Sequence, residues 1–316
     1  MTSSKMHSPD NPLRGIALST GACAVFAISD VTSKFLSTSM PIVEIQWIRY
    51  VLFFAMALVI AVRTPGRLSR PRNPKLQILR GLCVVASSVL FVYGIRQMTM
   101  AQATTIGFLS PLLITVLSIP LQGEVVGIRR WGAVLAGMIG MLIVVRPGVS
   151  GFQPAALFGV ASSTCWALGI IITRKIATSD PPQTTILWSS VIGAAVLTAL
   201  LPFDSVWPEP WQWRLCLMLG VLSSAGQMMV VLAHRLAPAS LLAPISYSQL
   251  PWVTIGGYLV FANLPDQWTL VGASIIIASG LYTAHRERVR ARTPVDSVTL
   301  VPLPRLLTIP GQNFPP

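Results

Sequence analysis

The sequence predicts an all-α membrane protein of ten transmembrane helices, built as two inverted five-helix repeats with both termini in the cytoplasm. Three observations carry that expectation. The 316 residues are 53% hydrophobic and only 10% charged, against roughly 25% charged residues in an ordinary soluble domain. Apolar runs long enough to cross a bilayer recur along the chain. Basic residues cluster between those runs, on alternate sides.

The runs fall near 14–36, 42–62, 79–97, 101–121, 128–146, 154–173, 184–202, 214–233, 237–262 and 267–285. A spanning helix takes about 20 residues. The shorter runs begin after Arg80 and after Arg129–Arg130, whose side chains are expected to snorkel to the interface. The apolar stretch 215–262 is too long for one span, and His234–Arg235 with Pro238 divides it. The first run follows a polar stretch, Met1–Leu13, and lacks the short core and small-residue cleavage site of a signal peptide. Residues 1–13 are therefore expected as a cytoplasmic tail. Residues 287–316, rich in Arg and Pro, form a second, disordered tail.

The net charge of +13 invites a nucleic-acid reading. The basic residues sit between apolar runs rather than on one soluble face, so nucleic acid is excluded as a partner and the bilayer is the partner instead. With the N-terminus inside, 18 of the 23 basic residues fall on the cytoplasmic side. The exceptions are Lys34, Arg49, Arg96, Arg146 and Arg214. Adding or losing one span would destroy this sorting.

Cys23, Cys83, Cys165 and Cys216 each lie in an apolar run and form no C-x-x-C pair. They read as small hydrophobes in helix packing. His7, His234 and His285 have no metal-site spacing. No metal and no cofactor is expected. The chain has no phosphate loop, no H-E-x-x-H and no G-x-S-x-G, so it reads as neither an ATPase nor another enzyme.

Residues 101–146 compare with 241–286 at a constant offset of 140. Pro111 falls on Pro251, Gly132–Ala133 on Gly272–Ala273, Gly140 on Gly280 and Arg146 on Arg286. One helix earlier, Gly81 and Arg96 match Gly220 and Arg235 at 139. The halves are 14–146 and 154–286. Five spans per half is odd, so the second half inserts upside down, a plan shared by many secondary transporters.

The first helix reads "FAISDVTSKFL" and the second begins "PIVEIQWIRY". The fourth reads "TIGFLSPLLITVLSIPLQGE" and the fifth "WGAVLAGMIGMLIVVRPG". The second half repeats the last two as "SYSQLPWVTIGGYLVF" and "WTLVGASIIIASGLY". Taken together, these motifs resemble the drug/metabolite transporter superfamily in its EamA-like branch. The resemblance spans about 14–286. One departure is "FANLPDQW", where Asn263 and Asp266 replace a Glu that often follows the ninth helix and would match Glu124 after the fourth. Asp30, Lys34, Pro41, Trp47 and Arg49 look like a subgroup that includes bacterial riboflavin importers and S-adenosylmethionine carriers. Other members export amino acids or metallophores. The resemblance implies a secondary transporter in the bacterial inner membrane, with a small amphipathic metabolite as its partner. Riboflavin uptake is the leading single candidate.

Charges inside a bilayer cost about 2.5–3.5 kcal/mol each at mid-helix, so each needs a reason. Asp30 and Lys34 are four apart on one helix face, where an ion pair is geometrically natural. Glu44, Trp47 and Arg49 lie in the first third of the next span. These residues either line a substrate cavity or brace two helices. Tyr93, Trp166, Gln227, Tyr247 and Gln249 are further candidates for lining it, with interhelical hydrogen bonding as the plainer reading. Pro111 and Pro251 free backbone carbonyls in mid-span and are candidate hinges. Gly132, Gly137 and Gly140 give one helix a small-residue face for packing, with a homodimer contact as the second reading.

Overall fold

The computed structural model describes residues 12–63, 71–122, 128–146, 154–177, 179–203, 205–237, 242 and 245–292. Glu124, Pro238 and most of both expected tails lie outside the described residues. Within them the chain is helical and has no strand. The elements are α1 (Pro12–Leu36), α2 (Ile42–Arg63), α3 (Pro74–Gln97), α4 (Met100–Gly107), α5 (Ser110–Gln122) and α6 (Ile128–Val145). Then follow α7 (Pro154–Ile176), α8 (Pro182–Leu200), a short 3-10 turn, α9 (Pro210–Leu236), α10 (Gln249–Phe261) and α11 (Gln267–Arg292).

Seven of the segments are long and apolar enough to cross a membrane, with α4 and α5 together making one of them. Trp131–Val145 is a shorter apolar helix. Proline opens several helices. Pro74 and Pro210 each stand in a first turn, where the missing N–H would have no partner anyway. α4 begins with a reciprocal cap. Gln102 N–H donates to Thr99 Oγ1 at 3.2 Å, and Thr99 N–H donates to Gln102 Oε1 at 3.1 Å. α11 runs to Arg292, beyond the expected end of the tenth span.

The helices pair in a regular scheme. α3 packs most extensively on α7, α1 on α9, α6 on α11 and α2 on α8. α1 also packs on α10, α2 on α9, α3 on α8 and α5 on α7. Replace each of the first five segments by the one five places later. The α1–α9 pair then becomes α7–α3, α2–α9 becomes α8–α3, and α1–α10 becomes α7–α4/α5. The α2–α8 and α6–α11 pairs map onto themselves.

At the α6–α11 crossing two glycines meet. A Cβ at Gly272 would lie 2.5 Å from the Gly140 carbonyl oxygen, and one at Gly140 would lie 2.9 Å from that of Gly272. Gly137 packs beside Leu112 and Ser279. The small-residue face is thus occupied within the chain at Gly137 and Gly140, while Gly132 has open space around it. The α6 end is held by Arg146, in the left-handed region at φ 44°. Its guanidinium pairs with Asp266 and lies over the Trp268 ring, 5.7 Å from the centroid. Asp266 also accepts the Thr269 N–H at 2.9 Å at the start of α11. The acid of the "FANLPDQW" stretch therefore caps one helix and clamps another.

Candidate functional site

The fourth span is two helices rather than one kinked helix. α4 stops at Gly107, and the chain turns through Phe108–Leu109 before α5 begins. Pro111 was expected in mid-helix; it stands in the first turn of α5, because the helix has already broken and restarted. Side chains take up the carbonyls at the break. Ser110 Oγ donates to Gly107 O at 2.5 Å, and Ser163 Oγ of α7 donates to Ile106 O at 3.1 Å. Pro251 likewise sits in the first turn of α10, after a turn at Tyr247–Ser248.

The two breaks meet. Phe108 and Tyr247 pack edge to face with centroids 4.9 Å apart and planes at 74°. Tyr247 is buried, and its hydroxyl lies against the backbone of Gly280 in α11, where a Cβ would collide with it. Irregular backbone at membrane depth is tolerated only where protein or a polar cavity surrounds it, and broken helices are where transporters place their substrates.

Asp30 of α1 stands beside this junction. Gln249, the first residue of α10, donates from Nε2 to Asp30 Oδ2 at 3.1 Å. The other carboxylate oxygen takes no hydrogen bond among the described residues. The Arg49 guanidinium interacts electrostatically with the same carboxylate. It is half-buried and makes no hydrogen bond or ion pair among the described residues. Tyr50, next along α2, is buried against the backbone of Gly193 in α8, within electrostatic range of both Arg49 and Arg80.

Lys34 does not pair with Asp30. Its Nζ donates to the Met98 carbonyl at 2.5 Å, at the C-terminal cap of α3, and lies 4.9 Å from the centroid of the Phe261 ring. The open carbonyl at the C-terminal end of α3 and the Phe261 ring receive the ammonium, while Gln249 holds the Asp30 carboxylate. Ser33 beside it, and Ser223 and Ser224 on α9, bury hydroxyls that find no partner among the described residues.

The remaining candidates have surroundings of their own. Glu44 is buried and accepts the Val206 N–H at 3.2 Å, anchoring the connection between α8 and α9. Trp47 donates from Nε1 to Thr198 Oγ1 of α8 at 2.8 Å. Tyr93 stacks on Phe158 at 5.6 Å between α3 and α7. Trp166 is exposed on α7. Gln227 is half-buried on α9 and has no hydrogen bond among the described residues.

Arg80 was expected at the interface as a flank. Instead α3 begins at Pro74, which draws Arg80 into the bundle. Its Nε donates to Thr173 Oγ1 of α7 at 2.8 Å and its guanidinium to Thr185 O of α8 at 3.1 Å. Ser189 accepts from the same group. One turn earlier, Gln77 donates to Asp180 Oδ2 at 2.7 Å and to Thr185 Oγ1 at 3.2 Å. The Arg72 N–H reaches Asp180 Oδ1 at 3.0 Å. Asp180 lies in the turn after α7. Burial raises its pKa. The Arg72 N–H, the Gln77 amide, the Ser179 hydroxyl and the Arg72 charge outweigh that and hold it below the usual carboxylate range.

Among the described residues no three His, Cys, Asp or Glu side chains cluster as metal ligands do. The site offers opposite charges, an amide and an aromatic pair at the meeting of two broken spans.

The chain resembles known proteins along most of its length. The chain is 27% identical over 263 residues to an S-adenosylmethionine uptake transporter of Rickettsia bellii, covering 82% of this chain and 89% of the relative. It is 26% identical over 298 residues to a riboflavin transporter of Vibrio cholerae, covering 89% and 96%. It is 23% identical over 267 residues to the pseudopaline exporter CntI of Pseudomonas aeruginosa, covering 84% and 94%. A solved crystal structure at 18% identity superposes with a TM-score of 0.60 over 89% of this chain and 98% of its own, so the fold is shared. The model of the EamA-like transporter family matches twice, over residues 13–146 and 153–283. The chain belongs to the EamA-like transporter family, within the drug/metabolite transporter superfamily, and is a multi-pass protein of the bacterial inner membrane.

Proposed function

We propose that this protein is a secondary transporter that carries a small amphipathic organic metabolite across the inner membrane. In this reading ten spans form two inverted five-helix halves, 14–146 and 154–286, with both termini in the cytoplasm. The observation that carries the transport reading is the meeting of the two helix breaks at Phe108 and Tyr247, beside the charges of Asp30 and Arg49. A polar group placed there is costly unless something uses it. The aromatic pair suits a ring, and the charges suit an ionic or strongly polar head.

Two substrates follow from the relatives. Riboflavin fits the aromatic pair, and S-adenosylmethionine fits the opposed charges as well. Uptake of each, labelled, is measured in cells that lack their own carrier. Accumulation of either above vector control supports the reading; accumulation of neither, with the protein present in the membrane, rejects both substrates. Asp30→Asn and Arg49→Gln are each expected to lower uptake without lowering membrane abundance. Unchanged uptake in both variants would make the charges structural braces only. For topology, a reporter joined after residue 292 is expected to read cytoplasmic. A periplasmic signal overturns the ten-span arrangement.

A further inference from the structure

The connection between α8 and α9 is rich in aromatic residues. It reads "LPFDSVWPEPWQW" over 201–213, with three tryptophans, a phenylalanine and no basic residue. The connection at the same place in the first half, 64–73, reads "TPGRLSRPRN", with three arginines and no aromatic residue. The repeat therefore does not account for the aromatic segment. Phe203 and Trp207 are 86% and 85% exposed, and Val206 between them is exposed too. A contiguous apolar patch of this kind marks an interaction surface. The segment is firmly held. Glu44 of α2 accepts the Val206 N–H at 3.2 Å. Trp211 donates from Nε1 to Glu209 Oε2 at 2.6 Å and packs edge to face on Phe35 at the end of α1, with centroids 6.2 Å apart. Trp207 packs in the same way on Trp213, at 6.0 Å. Pro202, Pro208 and Pro210 restrict φ along the segment.

The position of Trp213 says what lies over these rings. On α9, Trp213, Leu217 and Val221 follow at four-residue spacing and form one stripe along the helix. Leu217 and Val221 are exposed within a segment long and apolar enough to cross the membrane, so lipid covers them. Trp207, packed on Trp213, extends that stripe past the first turn of α9, at the level where the span begins. Tryptophan is enriched at membrane interfaces because its ring is apolar and its N–H stays wet. We propose that the α8–α9 connection is a lipid-docking element, whatever substrate the bundle carries. It lies on the bilayer at the end of the bundle that holds the α1–α2 turn, with Phe203 and Trp207 seated at the boundary between headgroups and acyl chains. Through the Glu44 and Phe35 contacts it ties α2 and α1 to the membrane surface.

The test places a nitroxide label at residue 207, as Trp207→Cys in a full-length variant freed of Cys23, Cys83, Cys165 and Cys216. The protein is reconstituted alone into vesicles of phosphatidylethanolamine and phosphatidylglycerol. Collisions of the label with oxygen, which concentrates in lipid, are compared with collisions with a water-soluble nickel chelate. Leu217→Cys supplies the lipid reference, and Asn73→Cys, exposed just before α3, the water reference. The ratio of oxygen to nickel collisions at 207 is expected to lie several-fold above that at 73 and to approach that at 217. Phe203→Cys repeats the measurement with the tryptophans intact, so a loss of packing at Trp207 does not decide the result. Circular dichroism and the melting temperature show that each variant is folded. A ratio at 203 and 207 equal to that at 73 overturns the proposal. Labels that are water-exposed in these vesicles but shielded from nickel in native membrane fragments also overturn it, and assign the face to a protein partner.

Discussion

Asp180 illustrates how one side chain ties the ends of three helices. It joins the turn after α7 to the start of α3 through Arg72 N–H and Gln77, and Gln77 continues to Thr185 of α8. Its pKa is depressed in the folded protein. A depressed folded value means that the group contributes stability above its unfolded pKa of about 3.9, and loses it as pH falls through the folded value. The contribution is therefore constant from neutral pH down to about 4 and disappears below it. Asp180→Asn should lower the melting temperature in detergent at pH 7 and remove the acid-limb difference between variant and native protein. Identical melting curves at pH 7 would show that the contact contributes nothing. At this scale the sequence revealed Asp30 and Arg49, because a charge in an apolar run stands out. Arg80 reads in the sequence as a flank only, whereas its guanidinium bonds Thr173 and Thr185 inside the bundle. A hydropathy window sees an arginine at the edge of a run as its flank, and Lys75 and Gln77 interrupt the extra turns back to Pro74. The readable signal was Asn73–Pro74, a helix start six residues upstream.

Among the helices, the α6–α11 crossing shows what small residues do. The chain brings two backbones together at Gly140 and Gly272, with no room for a side chain at either. Overpacking of this kind costs about 1–3 kcal/mol or more. Gly272→Leu should lower both the melting temperature and membrane abundance, whereas Gly132→Leu, at an open position, should change neither by a comparable amount. Equal effects of the two would remove the distinction. The glycines of α6 were legible as a packing face, but not their partner, since pairing depends on tertiary contacts that spacing alone does not contain. The helix breaks were half legible. Pro111 and Pro251 marked equivalent places, yet a proline reads the same as a mid-helix kink and as the first turn of a restarted helix. The Ser110 and Ser163 side chains that satisfy the broken turn decide between them.

Across the whole molecule, polar links sit at two places far apart in the chain. Gln77 and Asp180 join one, and Gln212 of α9 donates to Ser39 Oγ at 3.2 Å in the other, next to the Glu44–Val206 bond. If the protein alternates between two open states, each link must part in one of them. Cysteines at 77 and 180, joined by a short bis-reactive linker in a variant freed of Cys23, Cys83, Cys165 and Cys216, should stop uptake. Either single cysteine treated with the same reagent should retain it. Full uptake by the linked protein would make Asp180 a fixed staple. The offset of 140 makes a doubled architecture legible in the sequence, and the family model matches it twice. What spacing could not supply was how the halves engage, because the pairing crosses from one half to the other almost everywhere.

That pairing has a consequence for biosynthesis. α1 rests on α9 and α10, α3 on α7 and α8, and α6 on α11, so the main contacts of the first five segments are with segments made later. Apolar clusters form within the first half, around Ile95, Met100 and Ala103 and around Ile106, Leu112 and Val144, but its most extensive helix contacts are with the second. During synthesis the first half must wait in the lipid with its inward faces uncovered, and the bundle closes only after α11 has been inserted. A chain ending near residue 146 would keep the faces that α7, α8, α9 and α11 cover turned to lipid, or to another copy of itself.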